Sequence, residues 1–241
     1  MDLGISGKVA LVTAGSKGLG RASAIALAEE GAKLVICARG EDALRATEAE
    51  LARLTDVLAV VADVTDPAVP ADLVARTVDR FGGIDILVAN CGGPPSARSL
   101  DVSEKGFASA LNSNFLTSAR LVQEAVPHMR AKGWGRICLL TSSSIKQPIP
   151  NLSMSNASRT ALWAWAKTAA TDVFADGITI NTVCPGLHET DRIKQLNLGA
   201  GVPVGDPADF GRVVAFLCSQ PANFLSGAAI LVDGARYTGL F

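Results

Sequence analysis

The chain has 241 residues, 49% of them hydrophobic and 19% charged, which is enough apolar side chain to fill the core of one α/β domain of ordinary size. A formal net charge of -1 and the lack of any Lys/Arg run leave no electrostatic footprint for nucleic acid or an anionic membrane surface, and point instead to a small-molecule partner. Met1–Gly7 is too short and polar for a signal peptide, and no apolar run approaches the roughly 20 residues that cross a bilayer, so a cytoplasmic protein without membrane spans is expected. Five cysteines without CxxC spacing read as reduced, buried thiols, and no Cys/His cluster has the spacing of a metal site.

Lys8–Thr13 is a continuous apolar run with β-branched residues, the pattern of a strand buried on both faces of a parallel sheet. It runs into AGSKGLG and then an Ala-rich helix closed by Gly31, with a second strand at Lys33–Cys37, which makes a βαβ unit. Helices are predicted over Asp42–Leu54 and Ala71–Phe81, with strands at Val57–Ala62 and Ile84–Ala89 between and after them. Helices over Glu104–Asn114 and Ser118–Ala131 lead to a strand at Arg136–Thr141 and a long helix after Asn151. A strand at Thr179–Cys184, a helix over Ala208–Ser219 and a last strand at Ala229–Val232 complete the alternation. Seven strands alternating with helices predict a single-domain, Rossmann-type, doubly wound parallel sheet with helices on both faces, spanning residues 1–241, with ligands at the carboxyl ends of the strands.

In Gly15–Gly20 the glycines let the backbone turn tightly and approach a pyrophosphate, which then rests on amides at the positive end of the next helix. The spacing of Thr13, Gly18 and Gly20 supports a cofactor loop made by Thr13, Gly15, Ser16, Lys17, Gly18, Leu19 and Gly20, the alternative being a plain strand-to-helix turn. About twenty residues on, where a carboxylate would bond a ribose 2′-hydroxyl, stand Cys37, Ala38, Arg39 and Gly40. Arg39, aided by Lys17, suits a 2′-phosphate and favours NADP(H) over NAD(H); the alternative is a solvated loop charge.

These residues resemble the short-chain dehydrogenase/reductase family over nearly the whole chain. Thr13–Gly20 looks like its TGxxxGxG turn with Ala14 in place of the first glycine. Asp63-Val64 resembles its adenine-contacting pair, and Ala89-Asn90-Cys91-Gly92 its NNAG motif with two substitutions. Asn114 matches the asparagine that anchors a water relay, and Pro185-Gly186 with Thr190 the segment that meets the nicotinamide carboxamide. Val232-Asp233-Gly234 matches the closing strand.

The resemblance implies a Ser that orients a carbonyl, a Tyr that moves the proton, and a Lys four residues later that lowers the Tyr pKa and holds the nicotinamide ribose. Aligned through ASRTAL, these positions hold Ser142, Ser155 and Arg159. An aliphatic hydroxyl barely ionises and Arg159 cannot surrender a proton, so the relay through Asn114 lacks its partners. The chain's one tyrosine, Tyr237, reaches the site only if the tail folds back or a neighbouring subunit supplies it.

His188 would titrate near neutrality and is the surrogate acid predicted here, against a partly exposed loop histidine as the alternative. Residues 187–206 read as a mobile lid, faced by a Gly93-Pro94-Pro95 wall. Trp163 and Trp165 face different sides of their helix, one for the core and one for a partner, and the resemblance implies a homo-oligomer, dimer or tetramer. The sequence thus predicts an NADP(H)-dependent oxidoreductase acting on a small, largely apolar carbonyl or alcohol. Ser142 would polarise the oxygen, Ser155 and Asn156 would orient the substrate, and Arg159 would hold the cofactor. The other class left open is a non-redox protein of the same fold, either a regulatory ligand binder or an isomerase or dehydratase.

Overall fold

The computed structural model describes residues 1–195 and 201–240. Seven parallel strands lie in the order β3-β2-β1-β4-β5-β6-β7: β1 Val9–Thr13, β2 Lys33–Ala38, β3 Val57–Val61, β4 Ile86–Ala89, β5 Gly135–Leu140, β6 Ile178–Pro185 and β7 Ala229–Val232. Side chains alternate across the pleat, so each central strand feeds two cores. Ala10 and Val12 of β1 join Leu34, Ile36, Ile86 and Val88 under helices α1 (Gly18–Glu29), α2 (Glu41–Leu51) and α8 (Pro207–Leu217). Leu11 joins Val35, Leu87 and Ile137 on the other face, under α3 (Val69–Phe81), α5 (Thr117–Lys132) and α6 (Ser153–Val173). That two-sided burial is why these strands read as unbroken apolar runs.

The expected break between the two helices after Glu104 is a π turn. α4 (Glu104–Leu111) passes through Asn112–Leu116 directly into α5, and the Thr117 amide bonds the Asn112 carbonyl five residues back. α6 buries one stripe, Ser155, Ser158, Arg159, Leu162, Ala166, Ala170 and Val173, at helical spacing. Its first turn of that stripe carries polar groups, and the rest is core. Trp165 packs edge-on against Phe115, and Trp163 lies under the Lys146 ammonium. Among the described residues no helix is long and apolar enough to cross a membrane.

The strand order reverses direction of growth between β1 and β4, and there the chain leaves β1 through the glycine loop. Ala14, at the position where the resemblance has glycine, takes φ +48°. A left-handed L-residue costs about 1–2 kcal/mol, partly offset because glycine loses more freedom on folding. Ala14→Gly should therefore stabilise the fold by roughly 1 kcal/mol, raising Tm by about 2–4 °C, as read in thermal unfolding; a lowered Tm would show that the turn carries no strain.

Candidate active site

The carboxyl ends of β1, β2, β4, β5 and β6 open onto one cleft of about 1870 Å³. The glycine loop forms its floor. α1 begins at Gly18 with Lys17 at its cap position and no side chain bonding the first-turn amides, so those N–H groups remain available to an anion at the positive end of the helix. Ser16, Lys17, Gly18 and Leu19 line the cleft. Gly20 is beneath it, where a Cβ would overlap the Ala14 carbonyl oxygen and stand 2.8 Å from Asn90 Nδ2, so glycine is required by close packing.

Thr13 differs from its expected role. It is fully buried, and its hydroxyl donates to the Asn90 carbonyl at 2.7 Å and accepts from the Asn90 amide at 2.8 Å. Both hydrogen-bonding capacities are spent on locking β1 to the segment after β4, so Thr13 shapes the cleft without lining it. Gly15 likewise lies below the surface, against Ile36.

At the end of β2, Arg39 is 76% exposed at its side chain and stands 3.8 Å from the Asp63 carboxylate. Such an exposed pair is weak and leaves Arg39 free to turn to a stronger anion. Asp63 is held mainly by the Thr65 amide and hydroxyl at 3.0 and 2.8 Å, and these bonds set its carboxyl below the usual range. Val64 and Gly92 complete this side of the lining with Asn90.

Over β5 and α6 the chemistry concentrates. Ser142 stands two residues beyond the end of β5, where its Oγ accepts from the Ser144 amide at 3.1 Å. Arg159 is 8% exposed. Its Nη1 donates to the carbonyls of Leu140 and Thr141, both at 3.0 Å, and its Nε donates to Ser155 Oγ at 3.2 Å. Ser155 and Arg159 are one helical turn apart, as the spacing predicts. Among the described residues no carboxylate pairs with Arg159. Burial pushes its guanidinium down to about 10, which leaves it charged at neutral pH. The Cys91 thiol lies nearby and is pushed up by its own burial.

Three expectations need correction. Asn114 is 2% exposed; its Nδ2 turns back to Ala110 O and Ser113 Oγ at 3.3 Å each, and its Oδ1 is buried without a hydrogen-bond partner. The side chain is folded into the π turn and does not face the cleft. Asn156 is not available to a substrate, because both its polar atoms pair with the Ile149 backbone. His188 is 5% exposed, edge-on to Phe210 with centroids 5.2 Å apart. Desolvation lowers its pKa, so it is neutral at pH 7 and a poor proton donor.

The lid is more ordered than a plain loop. His188 bridges Gly205, α7 covers Asp191–Gln195, and Thr190 sits beside Gly18. Residues 196–200 of the expected lid lie outside the described residues. Arg192, missed in the sequence, donates to the Pro94 carbonyl across the cleft, at 2.6 Å. Pro185, Gly186 and Thr190 line the cleft, and the tail returns so that Arg236 and Tyr237 line it too. Both contacts join segments too distant in sequence for any local pattern to reveal them.

The family model described as enoyl-(acyl carrier protein) reductase matches residues 13–235. The chain belongs to the short-chain dehydrogenase/reductase family. The human dehydrogenase/reductase SDR family member 4 is 32% identical over 246 residues, covering 95% of this chain and 87% of the relative. The 3-oxoacyl-[acyl-carrier-protein] reductase of Vibrio cholerae is 33% identical over 98% of this chain and 99% of its own. L-sorbose reductase from Gluconobacter frateurii, crystallised with NADPH and L-sorbose, superposes with a TM-score of 0.92 at 32% identity over 100% of both chains. Family membership accounts for the strand order and the glycine-loop cleft.

The His188 environment has a pH consequence. Its folded pKa is below the ordinary value of about 6.5, so as pH falls the unfolded chain binds the proton first. The stability it contributes is complete above about pH 6.5 and is lost as pH drops through the folded pKa. Thermal melts from pH 7.5 to 5 should show a steeper acid loss for the wild type than for His188→Gln; parallel curves would show that His188 is not the group responsible.

Proposed function

We propose that the protein is an NADP(H)-dependent oxidoreductase that reduces a carbonyl, or oxidises the matching alcohol, on a small and largely apolar substrate. In this reading Ser155 and Arg159 stand where the family has its tyrosine and lysine. The observation that carries it is the uncapped start of α1 opening onto a single cleft, with Arg39 over β2 and the Ser142, Ser155, Arg159 group over β5.

The first-turn amides and Ser16 would hold the pyrophosphate, with Arg39 and Lys17 on a 2′-phosphate and Asp63-Val64 at the adenine. Arg159 would bond the nicotinamide ribose, and Asn90, Gly92, Pro185, Gly186 and Thr190 would frame the nicotinamide. When bound, NADPH supplies the hydride that reduces the substrate. Ser142 and Ser155 orient the carbonyl oxygen by their hydroxyls. With His188 neutral and buried, the proton sources that remain are water and the Tyr237 phenol, which lines the same cleft. Pro94, Leu187, Ile149 and Met154 give the substrate end its apolar lining. The L-sorbose reductase complex supports the choice of NADPH, because it shares the fold and 32% of its sequence with this chain.

Calorimetric titration with NADPH and NADH tests the reading directly, since a chain that binds neither is not this enzyme. Arg39→Asp should weaken NADPH about tenfold, roughly 1.4 kcal/mol, with little change for NADH. Equal losses for the two would remove the basis for a 2′-phosphate contact.

A further inference from the structure

We infer that Arg192 is a specificity-determining residue that binds a carboxylate, and that the substrate is a keto acid or the matching hydroxy acid: an apolar body that carries one carboxylate as well as the reacting group. The inference rests on the oxidoreductase reading above and deepens it to a substrate class.

The charge balance of the cleft carries it. Arg159 of α6 and Arg192 of α7 both line the cleft, and their guanidiniums act on each other. Burial does most to lower the pKa of Arg159, and the like charge of Arg192 lowers it further. Among the described residues no ion pair includes either arginine. The acids that line the cleft from the lid and the tail are engaged elsewhere. Glu189 stands 3.7 Å from Lys194, Asp206 caps α8 through the Ala208 amide at 2.8 Å, and Asp233 accepts from the Ala235 and Tyr237 amides at 3.1 and 2.9 Å. Asp191 is exposed at the start of α7. His188 is neutral, and Arg236 of the returning tail adds a third cation to the lining. In the cofactor reading the phosphates rest on the glycine loop, Lys17 and Arg39, and the reduced nicotinamide ring is uncharged. The positive charge beside the apolar lining is therefore left for the substrate.

Arg192 is also placed to use that charge. Its Nη2 donates to the Pro94 carbonyl at 2.6 Å, its one hydrogen bond among the described residues. The guanidinium lies over Gly93, where an added Cβ would stand 3.1 Å from Nη2 and 3.4 Å from Nε. These contacts orient the fork, and its other N–H groups are left for a planar anion, which a guanidinium meets with two parallel hydrogen bonds. An uncharged substrate would shut water away from the arginines without pairing them, at a cost to binding. A carboxylate on Arg192 offsets both cations and leaves Ser142 and Ser155 to the carbonyl oxygen. The redox step is the one proposed above. A hydride from NADPH reaches the carbonyl carbon, the C=O pair moves to oxygen, and that oxygen takes a proton from water or Tyr237. The products are a hydroxy acid and NADP⁺, with the carboxylate unchanged.

The first test needs no turnover. Benzoylformate and levulinate are titrated by calorimetry into the protein saturated with NADP⁺ and compared with their methyl esters, which keep the carbonyl and lose the charge. The better-bound keto acid should exceed its ester by about tenfold to a hundredfold, the range of a hydrogen bond to a charged group. Arg192→Met should remove most of that ratio and Arg192→Lys should restore part of it, with thermal unfolding showing that each variant is folded. Equal binding of acid and ester, no binding of either acid at millimolar concentration, or a ratio that Arg192→Met leaves intact overturns the inference. So does a loss of NADPH affinity in Arg192→Met equal to the loss for the keto acid, because the side chain would then serve the cofactor. The second test follows NADPH oxidation by absorbance: the acid should have the higher kcat/KM, and Arg192→Met should lower it mainly through KM. Esters reduced as well as acids overturn the inference and leave the oxidoreductase reading intact. Failure to bind NADPH removes both.

Discussion

The cleft depends on how β1 is joined to β4. At this point the sheet grows in opposite directions, so the loops leaving the two strands diverge and open a gap. The Thr13 hydroxyl closes the base of that gap by bonding both main-chain groups of Asn90. One buried side chain thereby sets the distance between the glycine loop and the segment that leads to the Gly93-Pro94 wall. The close approach of Gly20 to Ala14 and Asn90 belongs to the same junction. A larger residue at Gly20 would push apart the two surfaces that the hydroxyl holds together.

On this frame α6 carries a polar group where a core helix would normally carry apolar ones. Arg159 follows the same stripe as Leu162 and Ala166, yet it stays charged because its donors meet the carbonyls at the end of β5. Both carbonyls accept from Nη1 while Nε reaches Ser155, a division of donors over separate nitrogens that a single ammonium centre does not offer. The arrangement leaves Ser155 polarised from behind. The Ser142, Ser155 and Arg159 group is therefore rich in hydrogen-bond donors and holds no ready acid of its own.

The alternation of strands and helices was legible because each strand is buried on both faces and each helix on one, and burial writes itself into local composition. The glycine loop was legible for a similar reason, since the backbone conformation needs particular residue types within a few positions. The pairing of Ser155 with Arg159 was visible too, because four residues make one turn. Boundaries were less so: the π turn at Asn112–Leu116 hides a continuous helix path behind a sequence that looks interrupted.

Roles within the site divide along the same line. From sequence alone came the parallel doubly wound sheet, the residues that gather at its carboxyl ends, and the lack of a tyrosine on the long helix. Tertiary structure alone decided that Thr13 clasps Asn90, that Asn114 and Asn156 spend their amides on neighbouring backbone, that His188 is buried against Phe210, and that Arg192 reaches Pro94. Each of these depends on which hydrogen-bond partner lies within 3 or so ångströms after the chain has packed. Local sequence specifies a side chain's chemistry, but its available partners come from segments as far apart as β1 and β4, and only the packed sheet brings them together.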